Sequence, residues 1–565
     1  MLKFSINLNS SAFASILLLL VFLRAAAAAD EAAMRQQMEA VLTKAYPADQ
    51  PGAAVIVTRD CEVLYRAARG MANLELGVPL EADMVFRLGS ISKQFTGAAI
   101  ALLEERGELS IDDPITKFLP DYPTHGHEIT VAHLLAHTSG IRSYTGILGW
   151  METKIKEDLT TEELVDGFKN EPMDFAPGER WSYSNSGYVL LGAIIEKVTG
   201  KSYEDFVEQE IFAPLGMTSS YYGSHDQIIL RRASGYDGSP GEYRNAQYLS
   251  MTQPHAAGSL LSTVDDLAKW DHALYSNCLL NDETRKKMMT PFKLNEGSST
   301  EYGYGFLIGE LRDRPSVFHG GGIFGFITYG LRLPQERMYV AVLTNSTGHP
   351  VRADDVARRL AAIAIGDPFP EFEAIELDQP TLESYTGIYR VDEENTRSVM
   401  LIDGQLHTQH NAGRRLPIIP HSENGFFYQT GFTHIEFAKE ETGGVSQMFV
   451  YPQGSKQPER ADLTDLPLPE MAVVDLDEEI LQRYVGSYRF EPFGLKFVVS
   501  LEDGALFAQT AGRSKLELSA TSEFEFVTEA MGFQLRFIFN PRPGGASTTV
   551  ELQQAGHAFK GLRVE

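Results

Sequence analysis

A tandem repeat in the last third of the chain places the strongest constraint on its fold. The stretch Tyr385–Arg390 (YTGIYR) recurs as Tyr484–Arg489 (YVGSYR), and Asp403–Leu406 (DGQL) recurs as Asp503–Leu506 (DGAL). The other matched pairs are Gly413-Arg414 with Gly512-Arg513, and Ser422-Glu423 with Ser522-Glu523. Every offset is 99 or 100 residues, which predicts two copies of one small structural unit.

Each copy of the repeat consists of short stretches of alternating apolar and polar residues, separated by turn dipeptides such as Asp403-Gly404 and Asn424-Gly425. This pattern is typical of antiparallel strands joined by tight turns, and closure into a small barrel removes the exposed edges. We therefore predict two lipocalin-like antiparallel β-barrels, at 381–466 and 478–565. Neither copy contains a convincing set of catalytic residues.

The rest of the chain predicts one larger domain at 30–366, followed by an acidic, proline-containing linker at 367–380. Alternating stretches that are typical of strands occur near both ends of this domain, at 53–67 and 326–343, and helical periodicity dominates between them. Strands at both ends with helices between indicate the α+β class, with an antiparallel sheet and a mostly helical lobe.

The first residues have the pattern of a signal peptide, which we place at 1–29. Lys3 precedes an apolar run from Ala12 to Leu23, and small residues follow up to Ala29. The run is shorter than the roughly 20 residues that span a bilayer. The mature protein is therefore expected to be periplasmic or secreted, with an uncleaved N-terminal anchor as the alternative. Two cysteines, Cys61 and Cys278, could pair in an exported protein but do not form a disulfide framework.

Charge and motif content exclude several classes of partner. The chain carries 49 Lys and Arg against 76 Asp and Glu, a net charge of −27. Such a surface repels nucleic acid and anionic membranes, and no stretch after the leader is long and apolar enough to insert stably in a membrane. A histidine cluster at 125–137 lacks the carboxylates or thiols that would complete a metal site. We predict neither a metal nor another cofactor.

The first chemical motif is Phe86–Lys93 (FRLGSISK), which opens a predicted helix from Ser90 to Arg106. Residues three apart share one face of a helix, so Lys93 can reach the Ser90 hydroxyl. A partly buried lysine can lose its proton and then accept the proton of a serine. The alternative is a serine that only caps the helix, beside a solvated lysine.

The second motif is Trp181–Gly187 (WSYSNSG), just before another predicted helix. Tyr183 and Asn185 are two residues apart on a turn and can face one cleft. A tyrosine near a lysine can shuttle protons, and the asparagine can bind both a substrate amide and the lysine. An ordinary helix start is the alternative.

The third motif is His319–Gly322 (HGGG). Glycines such as Gly321 and Gly322 let a backbone approach a ligand closely, and an N–H group on a strand edge can bind an oxyanion. The alternative is a tight glycine turn between two strands.

These three motifs, in this order, resemble the serine β-lactamase, penicillin-binding-protein and D-aminopeptidase superfamily, in its class C-like branch. The resemblance covers about 30–366. It extends to three further stretches: His133–Ile141 (HLLAHTSGI), Pro177-Gly178 and Ala256–Ser262 (AAGSLLS). It implies a β-lactamase/transpeptidase-like catalytic domain.

The resemblance also implies roles for individual residues. Ser90 would attack a carbonyl and form an acyl-enzyme, Lys93 would activate it, and Tyr183 would relay the proton. Asn185 would hold the substrate amide, and the N–H groups of Ser90 and Gly322 would form the oxyanion hole. Whether Lys93 or Tyr183 is the general base stays open.

One departure from the family pattern bears on the substrate. His319 occupies the position where β-lactamases carry a lysine, and a mostly neutral histidine is a weaker site for a carboxylate. The substitution favours the esterase and aminopeptidase relatives. A catalytic domain followed by two barrels resembles the D-aminopeptidase arrangement, although the hairpin at Thr528–Gly532 is short for a gating loop.

The sequence therefore predicts an exported serine hydrolase that cleaves small amide or ester substrates, with D-amino-acid peptides among them. A carboxylesterase or weak β-lactamase is the alternative within the same chemistry. A non-catalytic protein that binds cell-wall peptides or β-lactams is the alternative of another class. The expected partner is a small-molecule or short-peptide substrate, and association into homo-oligomers stays open.

Overall fold

The chain divides into two units between Phe369 and Pro370. The computed structural model describes residues 29–411, 413–440, 443–468, 474–490, 495–510, 513–530, 533–541, 545–554 and 557–564. The predicted leader therefore lies outside the described residues apart from Ala29, as do the last two residues of the Thr528–Gly532 hairpin.

A six-stranded antiparallel sheet joins the two ends of the first unit, in the order β10-β11-β12-β13-β1-β2. The strands of this unit are β1 (Ala53–Arg59), β2 (Glu62–Arg69), β3 (Met71–Asn73), β4 (Val78–Pro79), β5 (Phe86–Arg87), β6 (Tyr221–Tyr222), β7 (Tyr236–Asp237), β8 (Arg244–Asn245), β9 (Leu260–Ser262), β10 (Leu307–Leu311), β11 (Arg314–Ile323), β12 (Phe326–Leu333) and β13 (Met338–Thr344). The central strands β1 and β13 are apolar and buried along almost their whole length. Both faces of the sheet are therefore covered at its centre.

Helices make up most of the rest of the unit, and all but the first and the last of them lie between β2 and β10. They are α1 (29–45), α2 (Ser92–Glu105), α3 (Val131–Leu135), α4 (Thr161–Phe168), α5 (Asn185–Thr199), α6 (Tyr203–Val207), α7 (Ala213–Leu215), α8 (His255–Gly258), α9 (Val264–Ala273), α10 (Asp282–Met288) and, after the last strand, α11 (Ala353–Ala364). Helix α2 is buried from Ser92 to Leu103. A helix that is buried on all sides forms the centre of a core, which confirms the predicted α+β class.

The chain enters α2 differently from the prediction of one helix over Ser90–Arg106. A 3₁₀ turn, Gly89–Ile91, precedes α2, and Ile91 takes the cap position. The turn starts from Gly89, whose φ of +55° is readily adopted only by glycine. Because Ser90 lies within this turn, its hydroxyl is not used to cap the helix.

The second unit contains two closed antiparallel barrels of eight strands each. The first has β14 (Gly387–Arg390), β15 (Thr396–Ile402), β16 (Gln405–His410), β17 (Arg415–Pro420), β18 (Gly425–Tyr428), β19 (His434–Lys439), β20 (Val445–Tyr451) and β21 (Glu459–Leu463). The second has β22 (Gly486–Phe490), β23 (Leu495–Glu502), β24 (Ala505–Thr510), β25 (Leu516–Ala520), β26 (Glu525–Ala530), β27 (Phe533–Pro541), β28 (Ser547–Gln554) and β29 (His557–Arg563). A short helix precedes each barrel, α12 (Gln379–Glu383) and α13 (Glu478–Leu481). The two predicted barrels are thus confirmed.

The repeated tyrosines explain why the sequence motif recurs. In the first barrel, Tyr385 donates its hydroxyl to the Glu423 carbonyl at 2.6 Å and Tyr389 donates to the Tyr385 carbonyl at 2.7 Å. In the second barrel, the equivalent bonds from Tyr484 and Tyr488 measure 2.6 and 2.8 Å. All four rings are fully buried. Each motif therefore holds the entry of its barrel against the turn between the fourth and fifth strands of that barrel.

Several sequence features have plain structural roles. His133 and His137 accept hydrogen bonds through Nδ1 from the backbone N–H groups of Thr130 and Ser184. Within the described ranges, no group of histidine, cysteine and acidic side chains could hold a metal ion. Cys61 and Cys278 are exposed and free. Across the same residues, no helix is both long and apolar enough to cross a bilayer.

Candidate active site

The first and second motifs meet around the amine of Lys93. Lys93 Nζ lies 3.2 Å from Ser90 Oγ, 2.8 Å from Asn185 Oδ1 and 2.8 Å from the Ala257 carbonyl oxygen. Its side chain is fully buried, with 0% of its surface exposed. Lys93 is therefore not a solvated lysine, and the structure brings Ser90, Lys93 and Asn185 together.

Burial is the main influence on the pKa of this amine. Removal from water disfavours the charged form and lowers the pKa of Lys93 well below its usual value. The neutral form of this amine has two hydrogens and one lone pair. Because Asn185 Oδ1 and the Ala257 carbonyl can only accept, they would take the two hydrogens of that form and leave its lone pair for the Ser90 hydroxyl.

Tyr183 completes the group around Ser90. Lys93 Nζ lies 4.8 Å from the centre of the Tyr183 ring. Burial raises the pKa of the Tyr183 phenol, and a hydrogen bond with Ser90 opposes this shift. Tyr183 is therefore held as a neutral phenol, which can donate a proton but is a poor base at neutral pH.

His137 holds the loop that carries Tyr183 and Asn185, a role that the sequence analysis missed. Its Nδ1 accepts from the Ser184 backbone N–H at 3.1 Å, and its ring lies 4.3 Å from the Tyr183 ring. Ser184 in turn caps α5, since its side chain accepts from the Gly187 N–H. Burial lowers the pKa of His137 well below its usual value. In the sequence, the only sign of this role was the resemblance of His133–Ile141 (HLLAHTSGI) to the family pattern.

The third motif forms the end of β11 beside Ser90. Strand β11 pairs with β10 only as far as Phe318, which lies opposite Leu307. The glycines that follow lie beyond this pairing and pair only with β12. A Cβ atom on Gly89 would come within 2.9 Å of Gly322 N. The Gly322 backbone therefore lies directly against the turn that carries Ser90, where its N–H group can serve an oxyanion together with that of Ser90.

The three glycines of this motif differ in the space around them, which gives a graded test. A Cβ at Gly321 would lie 2.0 Å from the Leu88 carbonyl oxygen, whereas one at Gly320 would lie 3.4 Å from its nearest neighbour, in the Tyr329 ring. Gly321→Ala is expected to lower kcat/KM about 100-fold, because overpacking moves the strand away from Ser90 and a misplacement of about 1 Å can lower a rate about 100-fold. Gly320→Ala is the matched control, expected within about threefold of wild type. Equal rates for both variants would contradict this account.

His319 is buried, and both of its ring nitrogens are engaged. Nδ1 lies 2.6 Å from the Gly320 carbonyl oxygen and so donates to it, and Nε2 accepts from the Tyr302 hydroxyl at 2.9 Å. Burial lowers the pKa of His319 to about 3. The ring is therefore neutral at physiological pH and offers no positive charge to a substrate.

A cleft opens beside Ser90, with about 470 Å³ of empty space that includes the open solvent at its mouth. Its lining is Gly89, Ser90, Tyr144, Thr145, Met151, Ile155, Asn185, Leu249, Pro254, Ala257, Gly258, Gly322, Ile323 and Phe324. The nucleophile, the amide of Asn185 and the Gly322 backbone thus share one accessible space.

Comparison with known proteins places this constellation in a family. The Beta-lactamase family model matches residues 32–364. Penicillin-binding protein 4* of Bacillus subtilis (strain 168) is 29% identical over 446 residues, covering 75% of this chain and 98% of that protein. Esterase EstB of Burkholderia gladioli is 29% identical over 365 residues, covering 56% of this chain and 91% of the esterase.

A solved structure shows the same fold. The D-amino acid amidase from Ochrobactrum anthropi SV3, complexed with L-phenylalanine amide, matches with a TM-score of 0.52 at 25% identity, over 59% of this chain and 99% of that chain. Since the family model covers more than half of the sequence and the site has the expected geometry, the chain belongs to the β-lactamase family.

Proposed function

We propose that this protein is an exported serine hydrolase that cleaves small amide or ester substrates through an acyl-enzyme on Ser90. The observation that carries the proposal is the contact of Ser90 Oγ with the amine of Lys93, which is fully buried and held by two further acceptors. The relatives named as a penicillin-binding protein, an esterase and an amidase support hydrolysis as the general activity.

The geometry supports a balanced two-step reaction. Ser90 Oγ attacks the carbonyl carbon while its proton passes to Lys93, and the N–H groups of Ser90 and Gly322 bind the oxyanion. The bond to the leaving group then breaks, and the leaving group takes a proton from Lys93 or through Tyr183. Water attacks the resulting ester and gives a proton to the same groups; the bond between the carbonyl carbon and Ser90 Oγ then breaks, and Ser90 takes that proton back as the acid is released. The lowered pKa of Lys93 and the raised pKa of Tyr183 favour Lys93 as the general base.

Two observations rank the alternatives. The neutral, hydrogen-bonded His319 gives no cationic partner for the carboxylate of a β-lactam, so we place β-lactam hydrolysis below ester and amide hydrolysis. A protein that only binds its ligand needs no group to activate water, whereas Lys93 and Tyr183 both remain in contact with Ser90. Turnover is therefore favoured over a binding or sensor role.

A panel of chromogenic substrates tests the proposal on the exported, mature protein. The panel is a p-nitrophenyl ester, D- and L-aminoacyl p-nitroanilides and a chromogenic cephalosporin. We expect ester or anilide turnover above cephalosporin turnover, and a covalent adduct on the Ser90 peptide after incubation with a phosphonate ester. The intact mass also shows whether residues 1–29 have been removed. An adduct on another residue would contradict the proposal.

A further inference from the structure

The apolar lining of the cleft beside Ser90 comes from two parts of the fold. Met151, Ile155, Leu249 and Pro254, which we call the first wall, lie on two segments joined by a hydrogen bond from the Ser250 N–H to the Ile155 carbonyl. Ile323 and Phe324 lie at the end of β11 and in the turn after it. Among the described residues that line the cleft, none has a carboxylate, amine, guanidinium or imidazole side chain. The lining therefore offers no ionic partner to a bound group.

The first wall is fixed by one buried amide. Gln253 is fully buried; its Oε1 accepts from Trp150 Nε1 at 3.1 Å, and its Nε2 donates to the Lys154 and Glu157 carbonyls at 2.9 and 2.8 Å. Its own carbonyl accepts from the Tyr144 hydroxyl at 2.8 Å. The segment that carries Met151 and Ile155 is thus held in place before substrate binds, which reduces the entropy lost on binding.

The polar groups of the cleft are mostly engaged with one another. Asn185 accepts from Lys93 and donates one Nδ2 hydrogen to Thr145 Oγ1 at 3.2 Å. Its second Nδ2 hydrogen can serve a substrate carbonyl. A charged acyl group would therefore lose its hydration without gaining a counter-charge, which is strongly unfavourable.

The acyl-enzyme shows which part of the substrate occupies the cleft. The acyl group stays bonded to Ser90 Oγ after the leaving group has departed, and its carbonyl oxygen would lie at the N–H groups of Ser90 and Gly322. Both residues line the cleft. The cleft is therefore the site for the acyl half of the substrate.

We propose that this cleft selects substrates whose acyl group is uncharged and apolar, such as aliphatic or arylalkyl esters and amides, and discriminates against acyl groups that carry a free carboxylate or ammonium. The inference rests on the proposed function, since it names the substrate class of the Ser90 site.

A series of p-nitrophenyl esters with a constant leaving group tests this selection. From acetyl to hexanoyl, kcat/KM is expected to rise about threefold to fourfold per methylene, as full burial of each CH₂ predicts. The hemisuccinyl ester is expected to react at least about 100-fold more slowly than the pentanoyl ester, because its carboxylate is buried without a partner.

Variants at Met151 show whether the wall causes the discrimination. Met151 is half-buried on this wall, so a longer polar side chain can be accommodated. Met151→Lys is expected to lower the ratio of kcat/KM for the pentanoyl ester to kcat/KM for the hemisuccinyl ester at least about tenfold, because the lysine supplies a counter-charge for the carboxylate. Met151→Gln, similar in size but neutral, is the matched control and is expected to leave the ratio within about threefold.

The outcomes separate the two proposals. Ser90-dependent hydrolysis with no chain-length dependence, or with equal rates for hemisuccinyl and pentanoyl esters, overturns the acyl selection and leaves the hydrolase assignment standing. An unchanged ratio in Met151→Lys overturns the role of this wall. If no ester or amide is hydrolysed in a Ser90-dependent way, the proposed function itself fails, and the acyl selection fails with it.

Discussion

Ser90→Ala is expected to lower kcat/KM by at least about 10⁴-fold for every substrate that the protein turns over, because the variant lacks the atom that forms the acyl bond. Removal of the nucleophile from a serine hydrolase leaves only the contribution of the oxyanion hole and of substrate binding. Ser90 is half-buried in a short 3₁₀ turn, so loss of one hydroxyl is expected to change the melting temperature by no more than about 2 °C. Initial rates and thermal melts of both proteins measure these two effects.

Ser182→Ala is the matched control for this substitution. Ser182 is exposed beside Tyr183, and its backbone N–H, which the substitution retains, donates to the His137 carbonyl. Its rates are expected within about twofold of wild type, as for a surface substitution away from the chemistry. Turnover by Ser90→Ala above about 1% of the wild-type rate would show that another residue is the nucleophile.

Lys93→Met is expected to lower kcat/KM at least about 10³-fold and to remove the pH dependence that Lys93 causes, because methionine fills the space without accepting a proton. In the wild type, burial lowers the pKa of Lys93, so kcat/KM is expected to rise as the pH increases through that lowered value. Rates measured from pH 5 to 10 check both statements. Lys286→Met, at a side chain that is 77% exposed, is the control.

The lowered pKa of Lys93 also predicts how the stability of the folded protein depends on pH, which Lys93→Met can test. Between the lowered pKa of folded Lys93 and its usual value of 10.5 in the unfolded chain, the unfolded state binds more protons than the folded state. Stability rises with pH wherever that holds. The melting temperature of the wild type is therefore expected to rise relative to that of Lys93→Met as the pH increases through this window. Below the window, the difference between the two melting temperatures is expected to stay constant. Parallel curves from pH 6 to 9.5 would mean that the pKa of Lys93 is not lowered.

The sequence predicted those parts of the site that depend on local spacing. Ser90 and Lys93 are one turn apart, and Tyr183 and Asn185 flank a cap residue, so their proximity follows from short-range geometry. The repeat likewise predicted two barrels, since one structural unit must account for both copies. The roles assigned to His319, Gly321 and Gly322 as substrate-binding residues remain predictions, of which Gly321→Ala tests one.

Other parts of the site could not be predicted because they depend on tertiary packing. Ala257 contributes only a backbone carbonyl, which any residue could supply, so its side chain gives no signal. His137 and Gln253 act through hydrogen bonds to backbone groups that are distant in sequence. The 3₁₀ turn before α2 depends on the left-handed conformation of Gly89, and helical periodicity alone does not reveal it.

The sheet of the first unit has a consequence for the order of events during synthesis. Strand β1 pairs with β13, so that Ala53 lies opposite Thr344, and the edge of β1 stays without this neighbour until the chain has been made past Thr344. Closing so long a segment makes folding slow. Each barrel closes over a much shorter segment, with Tyr389 opposite Leu463 and Tyr488 opposite Arg563. The nascent first unit thus exposes an apolar strand for longer than either barrel does, and this strand is where association with other unfinished chains would begin.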